Sequence, residues 1–285
     1  MVSIFGLVIV IVAVIGGFMM EGGKILVLNQ PAEFVIIGGA MIGSLLAATS
    51  LSNLKRMIGQ LKDVISPGMS KKQYLDIMVM LFELFNVARK DGLIALEKHV
   101  ETPNESSVFS KYKGFMKNHH AVHFLCDTLR MVITGTAQTH ELEDLMDVDM
   151  EAHHEEINAA PTIIQKVGDS LPGFGIVAAV LGVVLTMGSI DKPPEVIGHK
   201  VGAALVGTFL GILLAYGFVL PISTNMEFAN KNKTKLYECM KQAILAFQKG
   251  IAGVMAVEFA RRTLPNEVRP SFQELEDACN KTRAG

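Results

Sequence analysis

Hydroxyl-bearing side chains and prolines stand out in two long apolar stretches of the chain. They are Pro172, Thr186, Thr208, Tyr216 and Pro221. Neither 173–190 nor 201–222 contains an acid, a base or a histidine. Because a proton relay through a membrane normally needs an ionisable group at depth, these hydroxyls could line an ion path only if a second protein supplied that group. The alternative for each threonine is a hydrogen bond to its own i−4 carbonyl.

Membrane-spanning helices would have to position these side chains, and the spacing of charges predicts four of them. A helix of about 20 residues spans the roughly 30 Å hydrocarbon core of a bilayer. The charge-free runs are 1–20, 34–54, 170–190 and 201–226. We therefore predict an all-α membrane protein with a mostly helical cytoplasmic domain and with spans at 2–20, 34–51, 172–190 and 201–222. The first run lacks a basic n-region and a small-residue cleavage site, which predicts a retained anchor.

The distribution of lysine and arginine predicts the topology. Of the 26 basic residues, 13 lie in 52–170 and 10 in 223–285. Basic residues favour the cytoplasmic side of a membrane. We therefore expect a transmembrane hairpin at 1–51, a cytoplasmic helical domain at 52–170, a second hairpin at 171–222 and a cytoplasmic helical tail at 223–285. Both termini are then expected to lie in the cytoplasm.

Composition excludes several classes of protein. With a net charge of −2 and 50% hydrophobic residues, the chain lacks both the basic excess of a nucleic-acid binder and the low hydrophobicity of a disordered protein. The three cysteines, Cys126, Cys239 and Cys279, are far apart and form no C-x-x-C motif. They predict neither a disulfide framework nor a zinc knuckle.

Small residues recur at helical spacing in the predicted spans, where helices can pack closely only through small side chains. The fourth span has Ala203, Gly207, Gly211 and Ala215; the second has Gly39, Gly43 and Ala47; the third has Gly175 with Ala179 and, on another face, Ala178 with Gly182. Such seams predict a crowded bundle, either within one chain or between copies.

Pro172 and Pro221 fall at the predicted inner ends of spans three and four. Each removes a backbone donor and loosens its helix. They are either simple kinks or a pair of hinges through which an event in the membrane could move the cytoplasmic domain.

A metal-dependent enzyme is a competing hypothesis, because His119 and His123 have i, i+4 spacing and His153 and His154 precede two glutamates. Zinc sites use such spacings. The chain has no H-E-x-x-H motif. We therefore expect no metal, no cofactor and no catalytic residues.

Several stretches resemble the MotA family of flagellar motor stator subunits, which belongs to the MotA/TolQ/ExbB proton channel family. They are QPAEFVIIGGAMIGS, ARKDGLIALEKHVETPNES, VGDSLPGFGIVAAVLGVV, VGTFLGILLAYGF and AVEFARRTLPNEVRPSFQELE. The resemblance runs from the first span to about Ala278. It implies a homopentamer around two copies of MotB, whose single span supplies the titratable aspartate and which anchors to peptidoglycan. It also implies that ion flow drives torque on the rotor protein FliG.

Carried over residue by residue, the resemblance implies a rotor-facing pair, Arg89 and Glu97. It implies Pro172 and Pro221 as the torque-linked prolines, and Thr208 in the ion pathway with Ala179 and Tyr216 nearby. Thr186 joins this pathway as the other hydroxyl in the apolar stretches. From the residues alone, Arg89 and Glu97 would be interpreted as surface charges.

Protons are the expected ion. Sodium-driven relatives such as PomA have a threonine at the position of Ala179, and alanine offers no side-chain oxygen to a desolvated sodium ion. The alternatives are a sodium-driven, PomA-like stator and an ExbB- or TolQ-like subunit that energises outer-membrane processes.

Overall fold

The computed structural model describes residues 2–61 and 68–284, and every long regular element in that part of the chain is a helix. In chain order the α-helices are α1 (Val2–Met20), α2 (Ile25–Leu28), α3 (Pro31–Ala48), α4 (Leu51–Leu61), α5 (Lys71–Asp91), α6 (Glu97–Glu101), α7 (Lys113–Met116), α8 (His119–Thr134), α9 (Thr139–Met187), α10 (Pro194–Leu214), α11 (Leu220–Gln248), α12 (Gly253–Thr263) and α13 (Phe272–Ala284). A π-helical turn, Ala215–Val219, joins α10 to α11.

The predicted fold class is confirmed. Four helical stretches are long and apolar enough to cross a membrane: Ser3–Met20, Ile25–Ala48, Thr139–Met187 and Pro194–Gln248. The last two extend well beyond the 20 or so residues that a bilayer requires. Their extra length is polar, as expected for helices that continue outside the membrane.

Contacts divide the chain into two units. The membrane unit comprises Met1–Ser66 with Ile157–Ala229, and the globular unit comprises Pro67–Glu156 with Asn230–Gly285. The predicted segment boundaries at 51, 170 and 222 mark the edges of a membrane, and they stay predictions. Residues 62–67 of the predicted segment 52–170 lie outside the described residues.

The membrane unit has a small core. One cluster contains Ile37, Leu171, Ala178, Val206, Leu210 and Ala215, and a second contains Met57, Ala160, Ile164 and Met226. Most other apolar side chains of its helices are exposed, including Phe5 at 68% and Leu185 at 72%. In water such a surface would be unfavourable, but it suits lipid or further protein chains.

The globular unit has a large core around α5. This helix buries residues on all sides, among them Met78, Leu81, Phe82 and Phe85, which is the pattern of a central helix. A capping box fixes its start, since the Gln73 backbone N–H donates to Ser70 Oγ and the Ser70 N–H donates to Gln73 Oε1. The core therefore has a rigid axis that ends at Arg89, Lys90 and Asp91.

Candidate functional site

The centre of the membrane unit is a seam in which α9 and α10 touch through their backbones. A Cβ atom added to Gly175 would lie 2.8 Å from the Gly207 carbonyl oxygen, and one added to Gly211 would lie 2.6 Å from the Leu171 carbonyl oxygen. One added to Gly182 would lie 2.6 Å from the Ala204 Cβ atom. The two helices thus run antiparallel at the closest approach that glycine permits.

Of the two predicted small-residue faces of α9, the one with Ala178 and Gly182 packs into this seam together with Gly175. Ala178 is fully buried, and its Cβ atom lies 3.0 Å from where a Cβ of Gly207 would be. Ala179 is half-buried on the neighbouring side of the helix. Ala179 therefore lies at the edge of the seam between α9 and α10.

The two threonines of the predicted pathway differ in their hydrogen bonding. Thr186 is 2% exposed, and its hydroxyl donates to the Gly182 carbonyl at 2.8 Å. This is the i−4 bond that was the alternative to a role in an ion path. Thr208 is half-buried beside Gly175, and within the described residues its hydroxyl makes no hydrogen bond. Thr208 is the threonine whose hydroxyl is left free for an ion or a partner.

Glu33 lies against the seam and was missed by the sequence analysis. This residue of the first turn of α3 is 7% exposed, and its carboxylate packs against Gly207 so closely that a Cβ there would overlap it. Its Oε2 atom is buried and has no hydrogen-bond partner among the described residues. An acid in the first helical turn is ordinarily explained by the helix dipole, which is why its position before a charge-free run gave no signal.

The π-helical turn before Pro221 has a direct cause in the sequence. Proline has no N–H, so the Gly217 carbonyl cannot receive the usual i+4 bond from residue 221. The helix widens just before it, and the Leu220 N–H donates to the Ala215 carbonyl five residues back. Such turns often occur at functional sites.

Tyr216 and Pro221 line a hollow that is separate from the seam between α9 and α10. This cavity of about 320 Å³ lies between α1 and the π-helical turn, and its lining includes Ser3, Val10 and Asn225. Tyr216 is 65% exposed. The structure therefore brings Tyr216 and Pro221 together, and places Thr208 apart from them on the seam.

Pro172 lies inside α9, where the helix continues through it to Met187. One turn earlier, Gly168 packs against Leu220, the neighbour of Pro221. The two prolines are therefore at the same level of the membrane unit. A second proline inside α9, Pro161, was not singled out from sequence; its carbonyl accepts a bond of 2.7 Å from the buried Ser223 hydroxyl.

Arg89 and Glu97 lie on either side of a sharp turn in the globular unit. α5 ends at Asp91, Gly92 has a φ of 88°, a 3₁₀ turn covers Leu93–Leu96, and Glu97 begins α6. Both charged side chains are exposed. Arg89 donates to the Gly250 carbonyl at 2.9 Å, and Glu97 makes no ion pair within the described residues. The pair is thus presented by helix ends rather than by a solvated loop.

His99 is buried in α6, beneath the surface that carries Arg89 and Glu97. It is 2% exposed, and its Nδ1 lies 2.7 Å from Ser106 Oγ. Burial lowers the pKa of His99, and the neighbouring Lys98 adds to the effect. The neutral ring fixes α6 without competing with the exposed charges.

The histidines considered as zinc ligands have a different arrangement. Of these, His153 stacks instead on His120, which was not considered as a ligand, with ring centroids 3.7 Å apart, and the His153 ring lies 5.0 Å from that of Tyr237. Burial lowers the pKa of His153 to about 4, and the His120 ring contributes to the shift. Over the described residues, no group of three or more potential ligands has a geometry that could hold a metal.

The chain has four apolar helices, a glycine seam between α9 and α10, and hydroxyls in spans three and four, which contain no acid. These features define a multi-pass membrane protein that can form the wall of an ion path. The family model "Motility protein A N-terminal" matches residues 4–92, and that of the "MotA/TolQ/ExbB proton channel family" matches residues 116–239. Motility protein A of Salmonella typhimurium is 40% identical over 287 residues, which cover 99% of this chain and 96% of the relative. Motility protein A of Escherichia coli is 40% identical and covers 97% and 94%.

Solved structures show the same fold. The C. jejuni MotAB structure matches with a TM-score of 0.77 at 22% identity, over 94% of this chain and 98% of that one. The MotAB stator complex of Bacillus subtilis matches with a TM-score of 0.73 at 23% identity, over 96% and 98%. The chain belongs to the motility protein A family. It is a multi-pass inner-membrane protein and a stator subunit of the flagellar motor, as the resemblance in its sequence implied.

Proposed function

We propose that this chain forms the wall of a proton channel whose titratable aspartate is supplied by MotB, and that five copies surround two MotB chains. The 40% identity to motility protein A over nearly the whole chain is the observation that carries this proposal. The resemblance supplies the stoichiometry and the aspartate, and the two structural neighbours, which are MotAB structures, agree with that partner. Full-length relatives are motility proteins, which favours this function over that of an ExbB- or TolQ-like energiser.

The ion path is proposed to pass Thr208, with Ala179 beside it. The hydroxyl of Thr208, which makes no hydrogen bond within the described residues, supports its place in the path. The lack of a side-chain oxygen on Ala179 supports proton passage rather than sodium passage. Tyr216, which faces the hollow beside α1, and Thr186, whose hydroxyl is bonded to Gly182, have less support. Each charge that crosses gains about 2.3 kcal/mol per 100 mV, several times thermal energy.

Pro172 and Pro221 are proposed to act as hinges that convert ion passage into motion. The π-helical turn beside Pro221 supports this, because its i+5 bonds can rearrange to i+4 bonds with little loss of hydrogen bonding. The globular unit then moves, and Arg89 and Glu97 contact the rotor protein FliG through complementary charges. In this arrangement both termini and the globular unit lie in the cytoplasm.

Proteoliposomes test the channel. The chain alone is expected to be proton-tight, whereas the chain assembled with MotB is expected to conduct. Replacing MotB's membrane aspartate by asparagine should return the flux to the level of the chain alone. Robust conductance by the chain without MotB would overturn the proposal.

A pair of threonine variants tests the path. Thr208→Val in the assembled complex should lower the proton flux, because it removes the free hydroxyl. Thr224→Val is the matched control, since Thr224 is exposed and its hydroxyl is already bonded to the Leu220 carbonyl. Equal flux in both variants would exclude Thr208 from the path.

A further inference from the structure

One apolar side chain of the globular unit is left almost fully in solvent. Ile94 is 74% exposed, more than any other exposed large apolar side chain described in that unit; Val148, at 69%, comes next. The same unit completely buries Leu96, on the same turn as Ile94, and Val100, in the following helix α6. Exposing a large aliphatic group next to well-buried ones suggests a surface that another molecule covers.

The backbone holds Ile94 rigidly. Gly92, with a φ of 88°, starts the turn; the Ala95 N–H then donates to the Gly92 carbonyl at 3.1 Å, and the Glu97 N–H donates to the Ile94 carbonyl. Leu96 inserts into the core and anchors the turn from below. A preformed knob of this kind loses little conformational entropy when it is covered.

Charges surround the knob on both sides. Arg89, Lys90 and Asp91 precede it, and Glu97, Lys98 and Glu101 follow it. Beside Ile94 lies a shallow hollow of about 350 Å³ whose lining includes Ala95, Glu97 and Glu101. An apolar centre with a charged rim is the usual anatomy of a protein interface, in which the centre supplies most of the affinity and the rim supplies orientation and association rate.

We propose that Ile94, with Leu93 beside it, is the apolar anchor of the contact with the rotor protein. It inserts into an apolar socket whose flanking charges are opposite to those of Arg89 and Glu97. The inference rests on the proposed function and deepens it, because Ile94 lies between the two proposed rotor-facing charges and is continuous with them. With the charges alone, the contact would form quickly but bind weakly. Burial of the isoleucine slows dissociation and so lengthens the lifetime of the complex.

Equilibrium binding of purified rotor protein to the assembled stator complex in nanodiscs tests the anchor. Ile94→Asn should weaken binding by about tenfold or more, because an aliphatic side chain no longer becomes buried. Ile94→Leu should restore most of the affinity. Val148→Asn is the matched control, since it changes the next most exposed apolar side chain at a different place, and it should bind like the wild type.

Salt separates the anchor from the rim. Ile94→Asn should leave the dependence of the affinity on ionic strength unchanged, whereas Glu97→Lys should alter it. Proton flux and copy number of the complex should be those of the wild type in both variants.

The possible failures are distinct. Wild-type affinity in Ile94→Asn, or an equal loss in Val148→Asn, would overturn the anchor and leave the proposed function intact. A changed copy number in Ile94→Asn would place the residue between copies of the chain and would also overturn it. No binding by the wild-type complex would instead overturn the rotor contact of the proposed function.

Discussion

The two units of this chain pack their helices by opposite means. In the globular unit large rings fill the space between helices: Phe82, Phe85 and Phe109 are fully buried, and Phe85 stacks on Phe247 with centroids 4.4 Å apart. In the membrane unit α9 and α10 meet through Gly175, Gly207 and Gly211, whose backbones are in direct contact. Among the phenylalanines of the membrane helices, Phe5 and Phe34 are exposed, whereas Phe174 and Phe209 are only partly buried against the small core.

The solvent around each unit explains the difference. Water drives large apolar groups into a core, so size contributes to stability in the globular unit. Lipid gives no such drive, and close backbone contact is what holds membrane helices together. The globular unit is therefore stabilised mainly by burial of large side chains. The membrane unit is stabilised mainly by close backbone contact at a few glycines, which have no side chain to keep the helices apart.

Truncation of a buried ring in the globular unit should produce the largest effect. Phe85→Ala is expected to cost about 3–5 kcal/mol, because it leaves a cavity and removes the stacking on Phe247. Phe5→Ala in α1 should change the stability of the isolated chain by about 0.5 kcal/mol or less. Thermal unfolding of both variants in detergent measures the difference. Equal destabilisation would mean that Phe5 is buried in the purified protein and that the contrast between the units is wrong.

Addition of one methyl group in the seam should come next. Gly175→Ala is expected to destabilise helix packing by about 1–3 kcal/mol, because the new Cβ would lie 2.8 Å from the Gly207 carbonyl oxygen. Gly173→Ala, two residues away, adds the same methyl group to open space and should be neutral or slightly stabilising. The fraction of intact complex after detergent extraction, and swimming speed, report the outcome. A harmless Gly175→Ala would show that the seam can separate at little cost.

The same contrast explains what could be predicted from the sequence. Charge-free runs fix membrane helices, because hydrocarbon excludes charge over a known thickness, and all four spans were predicted in this way. The burial of Glu33 was not predicted, because it depends on α3 packing beside Gly207, a contact between residues far apart in the chain. The hydrogen bond from Arg89 to the Gly250 carbonyl was not predicted for the same reason. The π-helical turn could have been suspected from Pro221, but no local pattern distinguishes it from a kink.

Sensitivity to acid should be a property of the globular unit. The pKa of His153 is lowered to about 4, mainly by burial, with the facing His120, His154 and Lys233 lowering it and Glu156 opposing them. The native state therefore favours the neutral ring; the resulting stability is complete above the ordinary pKa of about 6.5 and is lost as the pH falls towards 4. Between pH 7 and pH 5 the loss should be on the order of 1–2 kcal/mol.

The unfolding midpoint at the two pH values measures this loss. His153→Gln should remove most of the dependence, whereas His123→Gln, which changes an exposed ring on α8, should retain it. If His153→Gln kept the full dependence, another group would be responsible for it.

The smallest effects on stability, with large effects on function, are expected at Arg89 and Glu97. Glu97→Lys reverses an exposed charge that forms no ion pair in the part of the chain that the structure describes, and it should change the free energy of unfolding by about 0.5 kcal/mol or less. Arg89→Glu also loses the bond to the Gly250 carbonyl, and should cost about 0.5–1.5 kcal/mol. Both variants should reach the membrane in normal amounts and both should impair swimming, because complementary contact with a charged rotor surface is lost. Immunoblots of membranes and tracking of swimming cells distinguish this from a structural role: a fall in membrane abundance that matched the loss of swimming would mean that the two side chains stabilise the turn around Gly92 rather than contact the rotor.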